Sequence, residues 1–363
     1  MARRPLRVVA IGGGTGLSMM LRGLKKYVVA PGVARIAQST QAIGDLAAVV
    51  TVTDDGGSSG RLRKEFNIQP PGDIRNCMVA LSEDENLLSK IFQYRFPAGN
   101  GLGGHNFGNL FLTALTAVTG DFSEAVRESS QILASRGHIF PSTKSNVQLD
   151  AWMDDGSRVR GETNITASRR RIVRLRLAPA NAQPLPETLE AIAKADLITV
   201  GPGSLFTSLI PNVLVHGIPE AIASSRAVKV FVCNLMMQAN ESLGLTAADH
   251  IRAIHKHARN PVFTLALVND KPVSAALLEK YREQNCEQVK PDSDAIEALG
   301  VHSITGDFLE ETDLARHDTA RVAAKLMELA YGQPLTKASS SGSSASGSSA
   351  SGSSGSGAKS PSL

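Results

Sequence analysis

The 363-residue chain is 42% hydrophobic, with a formal charge of +4 and an isoelectric point near 9.0. This is an ordinary globular composition, long enough for more than one minimal core. Its basic residues are dispersed and aromatics make up only 4%, which argues against the concentrated cationic face and stacking platforms of a nucleic-acid binder. The cysteines, Cys77, Cys233 and Cys286, lie far apart with no CxxC pair, as expected in a reducing cytoplasm. No stretch approaches the ~18 apolar residues of a membrane span.

In chain order, MARRPLRVVAIGGG has a short apolar run that breaks into glycines, so 6–11 reads as a buried strand and not as a signal peptide. Further strands are predicted at 46–52, 195–200, 228–233 and 262–268. Helices are predicted over 17–26, 75–95, 106–118, 122–134, 187–194, 204–210, 246–258 and 319–331. Continuous apolar strands alternating with helices imply a doubly wound α/β fold with a mostly parallel sheet covered on both faces. Residues 147–165 differ: two alternating segments flank Asp155-Gly156, the signature of a β-hairpin excursion. Between 169 and 176 arginines alternate with Val173 and Leu175, which reads as a half-buried strand with a solvated face; arginines gathered around an anionic ligand are the alternative. Residues 1–335 form a single domain on this reading, and the Ser/Gly-rich stretch 336–363 is a disordered tail.

The chemistry concentrates in the loops. After the first strand comes GGGTGLS, with Gly12, Gly13, Gly14, Thr15 and Gly16. Glycines between a strand and a helix leave N–H groups open, and the helix adds its positive end, so a phosphate fits there. The GK[ST] of a P-loop is missing, and GxGxxG fails at Leu17. No acidic residue for a ribose occurs between Gly12 and Gly44, so NAD is disfavoured and a generic nucleotide or phosphate is expected, with a ligand-free tight turn as the alternative.

The segment VTVTDDGGSSGRL, 50–62, places a bare acidic loop at the same sheet edge. Asp54 and Asp55 are candidates to hold ligand hydroxyls or a metal, Ser58 and Ser59 to donate hydroxyls, and Arg61 to answer phosphate charge; turn chemistry alone is the competing reading. PPGDIRN offers Asp73 as a helix N-cap or a site acid. GLGGHNFGN brings His105, Asn106 and Asn109 to another helix start, and GPGSLFTS brings Gly201, Gly203 and Ser204, with Ser204 as N-cap or phosphate donor. Several glycine-polar junctions in one domain point to a nucleotide-sized, phosphate-bearing ligand. His255 and His257 do not share a helix face, and HExxH, CxxC and GxSxG motifs are absent.

Taken in order, IGGGTGLS, TDDGGSSGRLR, PPGDIRN, GGHNFGNL, ADLITVGPGSLFTSLIPN, VCNLMMQ and ARHDTARVA closely resemble the CofD/YvcK superfamily over about residues 6–332. DDGGSSGRLRKEF, SEDENLLSKIFQYRF and the late RHD element look like the YvcK-like branch, the gluconeogenesis factors. The resemblance implies a Rossmann-like core and a ligand such as UDP-N-acetylglucosamine or a related UDP-sugar. It also implies a role in cell shape, or morphogenesis, and envelope regulation during gluconeogenic growth, exerted through a regulatory or cell-wall protein partner or through homo-oligomeric assembly.

On this resemblance, loops 12–16 and 201–204 hold phosphates, Asp54, Asp55, Asn106 and Asn109 share the pocket, and Tyr281 and Arg316 close over the nucleotide. A surface aromatic and a helix-end ion pair are the plainer readings of the last two. The other branch implies a 2-phospho-L-lactate transferase, with Mg held by Asp54 or Asp55 and an aspartate or His105 activating the acceptor hydroxyl. Thr53 and the segment 143–146 depart from the family pattern.

Overall fold

The computed structural model describes residues 4–29, 41–83, 87–99, 101–239 and 241–332. Its strands are β1 (Leu6–Gly12), β2 (Ile43–Val50), β3 (His138–Pro141), β4 (Gln148–Met153), β5 (Arg158–Arg160), β6 (Ile172–Ala178), β7 (Leu197–Val200), β8 (Val228–Val232), β9 (Leu265–Asn269), β10 (His302–Gly306), β11 (Leu309–Glu311) and β12 (Ala315–His317). The central sheet has seven strands in the order β10-β9-β8-β7-β1-β2-β3, and all its pairs are parallel. The fold is therefore the Rossmann-like α/β class expected, with the strand order reversing between β1 and β7.

Alternate residues of β1 feed two cores. Leu6, Val8 and Ala10 pack with α1 (Gly14–Lys25) and with the last helix, Thr319–Gly332; Val9 and Ile11 pack on the other face. That second core is closed by a small antiparallel sheet, β5-β4-β6, which turns Leu149, Ala151, Met153, Leu175 and Leu177 inward. On its outer side the guanidiniums of Arg158, Arg174 and Arg176 lie 5.2, 5.6 and 5.5 Å from the Trp152 ring centroid. The hairpin thus exists, but its second arm is short: after Arg160 the chain turns into the helix Glu162–Ser168. Val173 is exposed, off the expected alternation, where the β4–β6 register shifts between Trp152 and Met153.

Two further differences matter for the site. The segment expected as a loop after β2 is helical from Gly57, forming α2 (Gly57–Phe66). Glycine and serine are weak helix formers, but Ser58, Ser59, Gly60 and Leu62 are buried there, so tertiary packing overrides propensity. A Cβ on Gly60 would lie 1.9 Å from the Asp55 carbonyl oxygen, so glycine is required for this close approach. The helix expected over 75–95 is two helices, α3 (Gly72–Leu81) and α4 (Leu87–Gln93); the next is α5 (Phe107–Thr119). The edge strands β3 and β10 had no counterpart among the expected strands.

Among the described residues no single helix is long and apolar enough to cross a membrane. The bent pair Leu205–Val213 and Ile218–Ser224 is apolar, but Leu205, Leu209, Ile210, Ile218 and Ile222 are fully buried core residues. The expected tail, 336–363, and the domain limit at 335 lie outside the described residues.

Candidate functional site

Ligands in open α/β sheets bind beyond the carboxyl ends of the strands, where the strand order reverses. Here the reversal lies between β1 and β7, whose Ile11 and Val200 are paired in register. Loops 12–16 and 201–204 therefore leave the sheet side by side. They are pressed together: a Cβ on Gly16 would stand 2.3 Å from the Pro202 carbonyl oxygen. On its other side loop 12–16 meets the chain leaving β2, where a Cβ on Gly13 would stand 2.5 Å from Thr51 Cγ2. Gly14 adopts φ +61, a conformation that suits glycine.

A cavity of about 270 Å³ opens over this edge, lined by residues 13–16, Ser204, Tyr281 and Arg316 among others. The N-cap of α1, Gly13, has no side chain to cap the helix. The amides of Thr15 and Gly16 find no acceptor among the described residues. The positive end of α1 is thus left open to an anion.

Across the cavity, Arg316 sits on β12. Its guanidinium is exposed, its only hydrogen-bond partner among the described residues is the Met19 sulfur at 3.6 Å, and it makes no ion pair there, so no helix-end ion pair is formed. The adjoining His317 Nε2 lies 3.0 Å from the Cys233 carbonyl, and burial pushes this imidazole down to about 4. Because such an imidazole stays neutral, its Nε2–H donates to Cys233 and anchors β12 at the end of β8. Tyr281 is partly buried against Leu235, Met236 and Leu277, and its hydroxyl accepts the Ala315 N–H at 3.1 Å. It is therefore a wall of the cavity that also braces the Arg316 strand, not a free surface aromatic.

Sequence reasoning gave no role to Asn234 and Gln238. Asn234 holds Gly203 at both backbone groups, accepting its N–H at 3.1 Å and donating to its carbonyl at 2.8 Å. Gln238 Nε2 donates to Ser204 Oγ at 2.8 Å, so Ser204 is oriented toward the cavity rung and makes no N-cap bond. Both residues sit in the VCNLMMQ motif; glycine loops with exposed backbone need polar braces, and that was the available signal.

The second group of predicted residues forms a junction beside the cavity. Asp73 is not an N-cap: Pro71 holds that position. Its carboxyl accepts the Gly14 N–H, and burial, helped by the charge of Asp54 nearby, raises it to about 6 against the pull of that hydrogen bond. Asp54 accepts the Gly56 N–H at 2.9 Å and faces Gly72. Asp55 turns away, accepting the backbone and hydroxyl of Thr163 at 2.8 and 2.7 Å. Glu162, which no motif had marked, joins the group from the hairpin excursion, and its carboxyl is raised well above the ordinary range by burial and by Asp54 and Asp73.

Ser58, Ser59, Asn106 and Asn109 are nearly fully buried and tie α2 to α5. His105 Nδ1 lies 3.2 Å from Ser58 Oγ, Asn106 Oδ1 caps α5 by accepting the Asn109 N–H at 3.2 Å, and Asn109 donates to Ser59 at 3.4 Å. Asn106 is thus committed to the scaffold, whereas Asn109 keeps an unpartnered buried Oδ1. Arg61 reaches the Gly103 carbonyl at 3.0 Å and takes no place in the cavity.

Among the described residues no three or more Asp, Glu, His or Cys side chains are grouped to hold a metal ion. Asp55 already spends an oxygen on Thr163. The described residues as arranged do not form a preassembled metal site.

Comparison with known families supplies the kinship. The family model described as 2-phospho-L-lactate transferase CofD matches residues 8–309, a span that includes both glycine loops and the acidic junction. The chain belongs to the CofD family. Within and around that family it is 46% identical over 333 residues to the gluconeogenesis factor of Halalkalibacterium halodurans, covering 92% of this chain and 98% of that protein. It is 44% identical over 330 residues to the gluconeogenesis factor of Bacillus subtilis, covering 91% and 99%. The crystal structure of a UPF0052 family member from Bacillus halodurans superposes with a TM-score of 0.83 at 44% identity, covering 90% of this chain and all of that one. The CofD-family fold and the gluconeogenesis-factor kinship thus meet in one chain.

Proposed function

We propose that this CofD-family protein is a nucleotide-sugar-binding regulator, with a ligand of the UDP-N-acetylglucosamine class seated in the cavity between loops 12–16 and 201–204. The observation that carries the reading is the pairing of the unpaired Arg316 guanidinium with the open amides of Thr15 and Gly16 across one cavity. A diphosphate fits between a helix N-terminus and an arginine fork, and Tyr281 offers an aromatic wall for the base. Kinship to gluconeogenesis factors supports a role in gluconeogenic growth; the proposal places that role in the cytoplasm, acting on the cell envelope and cell shape through a protein partner or homo-oligomeric assembly.

Calorimetry with UDP-N-acetylglucosamine, followed by recovery of the ligand, tests the reading. Binding of intact ligand without magnesium, weakened by Arg316→Ala, is the expected result.

The carboxylate junction and the family model favour a second reading, transfer of a phospholactyl group from a nucleotide diphosphate donor. An acceptor hydroxyl would form a new bond to the β-phosphorus, the bond to the departing nucleoside monophosphate would break, and the hydroxyl proton would pass to a carboxylate. Asp73, raised to about 6 and set against the glycine loop, is the group suited to take it. Release of nucleoside monophosphate from such a donor distinguishes this reading from the first.

A further inference from the structure

The 169–176 arginine run has a feature that the site above does not use. A cavity of about 500 Å³ lies between the chain entering β6 and the helix Ala247–Ala258, behind the nucleotide loops. Five fixed cations line it, Arg169, Arg170, Arg171, Arg252 and Lys256, against three carboxylates.

Two of those cations are committed, Arg170 to Asp155 and Arg252 to Asp249. Arg169, Arg171 and Lys256 have no side-chain hydrogen bond or ion pair among the described residues. The carboxylates offer little compensation. Asp249 is taken up by Arg252 and the Thr246 cap, and Glu241 accepts from Phe206 N at 3.1 Å and Thr207 Oγ1 at 2.7 Å. Burial also pushes the Glu241 carboxyl up from its ordinary value. Asp154 alone is left to answer three cations.

Holding like charges in a concavity without counter-ions is unfavourable, and such a concavity concentrates anions. Phe206, Leu243 and Leu245 give the same cavity an apolar wall. Through Glu241 it also shares a wall with the turn that follows loop 201–204.

We propose that this cavity is a second ligand site, separate from the nucleotide cavity, for a small polyanion carrying two or more phosphate or carboxylate groups held by Arg169, Arg171 and Lys256. The two sites have different walls, so the proposal does not rest on which nucleotide the first one takes.

The test titrates the full chain with citrate and with tripolyphosphate at a fixed ionic strength of about 0.15 M, and maps the bound state by amide hydrogen exchange. Protection is expected in 169–173 and 249–257. The substitutions Arg171→Gln and Lys256→Gln together should weaken binding at least about tenfold without lowering the melting temperature of the free chain, since they relieve like-charge repulsion. Binding of citrate alone identifies a polycarboxylate ligand, and binding of tripolyphosphate alone identifies a phosphorylated one. Should the double variant not fold, Arg169→Gln provides the same comparison. The proposal is overturned if neither probe binds, if binding survives the substitutions, or if protection falls only on the loops at 12–16 and 201–208.

Discussion

The carboxyl group of Asp73 accepts the backbone N–H of Gly14 and lies 2.9 Å from where a Cβ on Gly13 would stand. One acidic side chain is thereby set into the loop that should receive phosphate, with its proton affinity raised to about 6. Between the unfolded value of 3.8 and this folded value, the native state holds a proton that the unfolded chain has released. Stability therefore falls as pH rises through that window. Asp73→Asn should abolish this slope, so denaturant midpoints of variant and native protein should diverge as pH rises toward about 6 and run parallel above it. Parallel curves throughout would contradict the assignment.

The same carboxylate, once ionised, repels a phosphate in the loop. Affinity for a nucleotide sugar, whose diphosphate does not itself titrate in this range, should rise as pH falls through about 6 in the native protein and stay flat there in Asp73→Asn, as read by calorimetry across pH.

Loop contact is expected to be unforgiving at Gly16. A methyl there meets the Pro202 carbonyl, which is backbone and has no rotamer to change. Gly16→Ala should cost about 1–3 kcal/mol of stability and separate the two glycine loops. A chain with native stability and native ligand affinity would show that the loops are not packed as described.

His257 sets a different acid limit. Its Nδ1–H donates to the Ala253 carbonyl at 2.7 Å, leaving Nε2 to accept the Leu175 N–H at 3.0 Å and hold the edge of β6. That requires a neutral ring, and burial lowers its proton affinity accordingly. Stability from this anchor is present above the ordinary imidazole value of 6.5 and is lost as pH falls below it. In His257→Gln, unfolding midpoints should lose part of their acid sensitivity between about pH 7 and pH 5.

Much of this was legible in the sequence. Strands β1, β2, β7, β8 and β9 follow from their apolar runs, and the glycine loops announce themselves because only bare backbone can pack as closely as Gly16 on Pro202. What stayed hidden depends on distant neighbours. Residues 57–60 look like a turn locally and become helical only because α5 buries Ser58 and Ser59. Glu162 enters the acidic junction because the excursion folds back over Asp55, a return that no local pattern encodes. The unpaired state of Arg316 depends on where β12 docks, so the ion-pair reading could be settled only in three dimensions.

Arg316 gives the most direct test of the proposed site. The measurement is calorimetric titration of UDP-N-acetylglucosamine into the native chain, Arg316→Lys and Arg316→Ala, each with its melting temperature. A guanidinium whose only hydrogen-bond partner in the protein is the weak Met19 sulfur should contribute about 1.5–3 kcal/mol to binding, roughly ten- to hundredfold in affinity, and little to folding. Arg316→Ala should then lose that affinity at an unchanged melting temperature, with Arg316→Lys between the two. No binding by the native chain, or equal binding by Arg316→Ala, would contradict a nucleotide sugar held across this cavity.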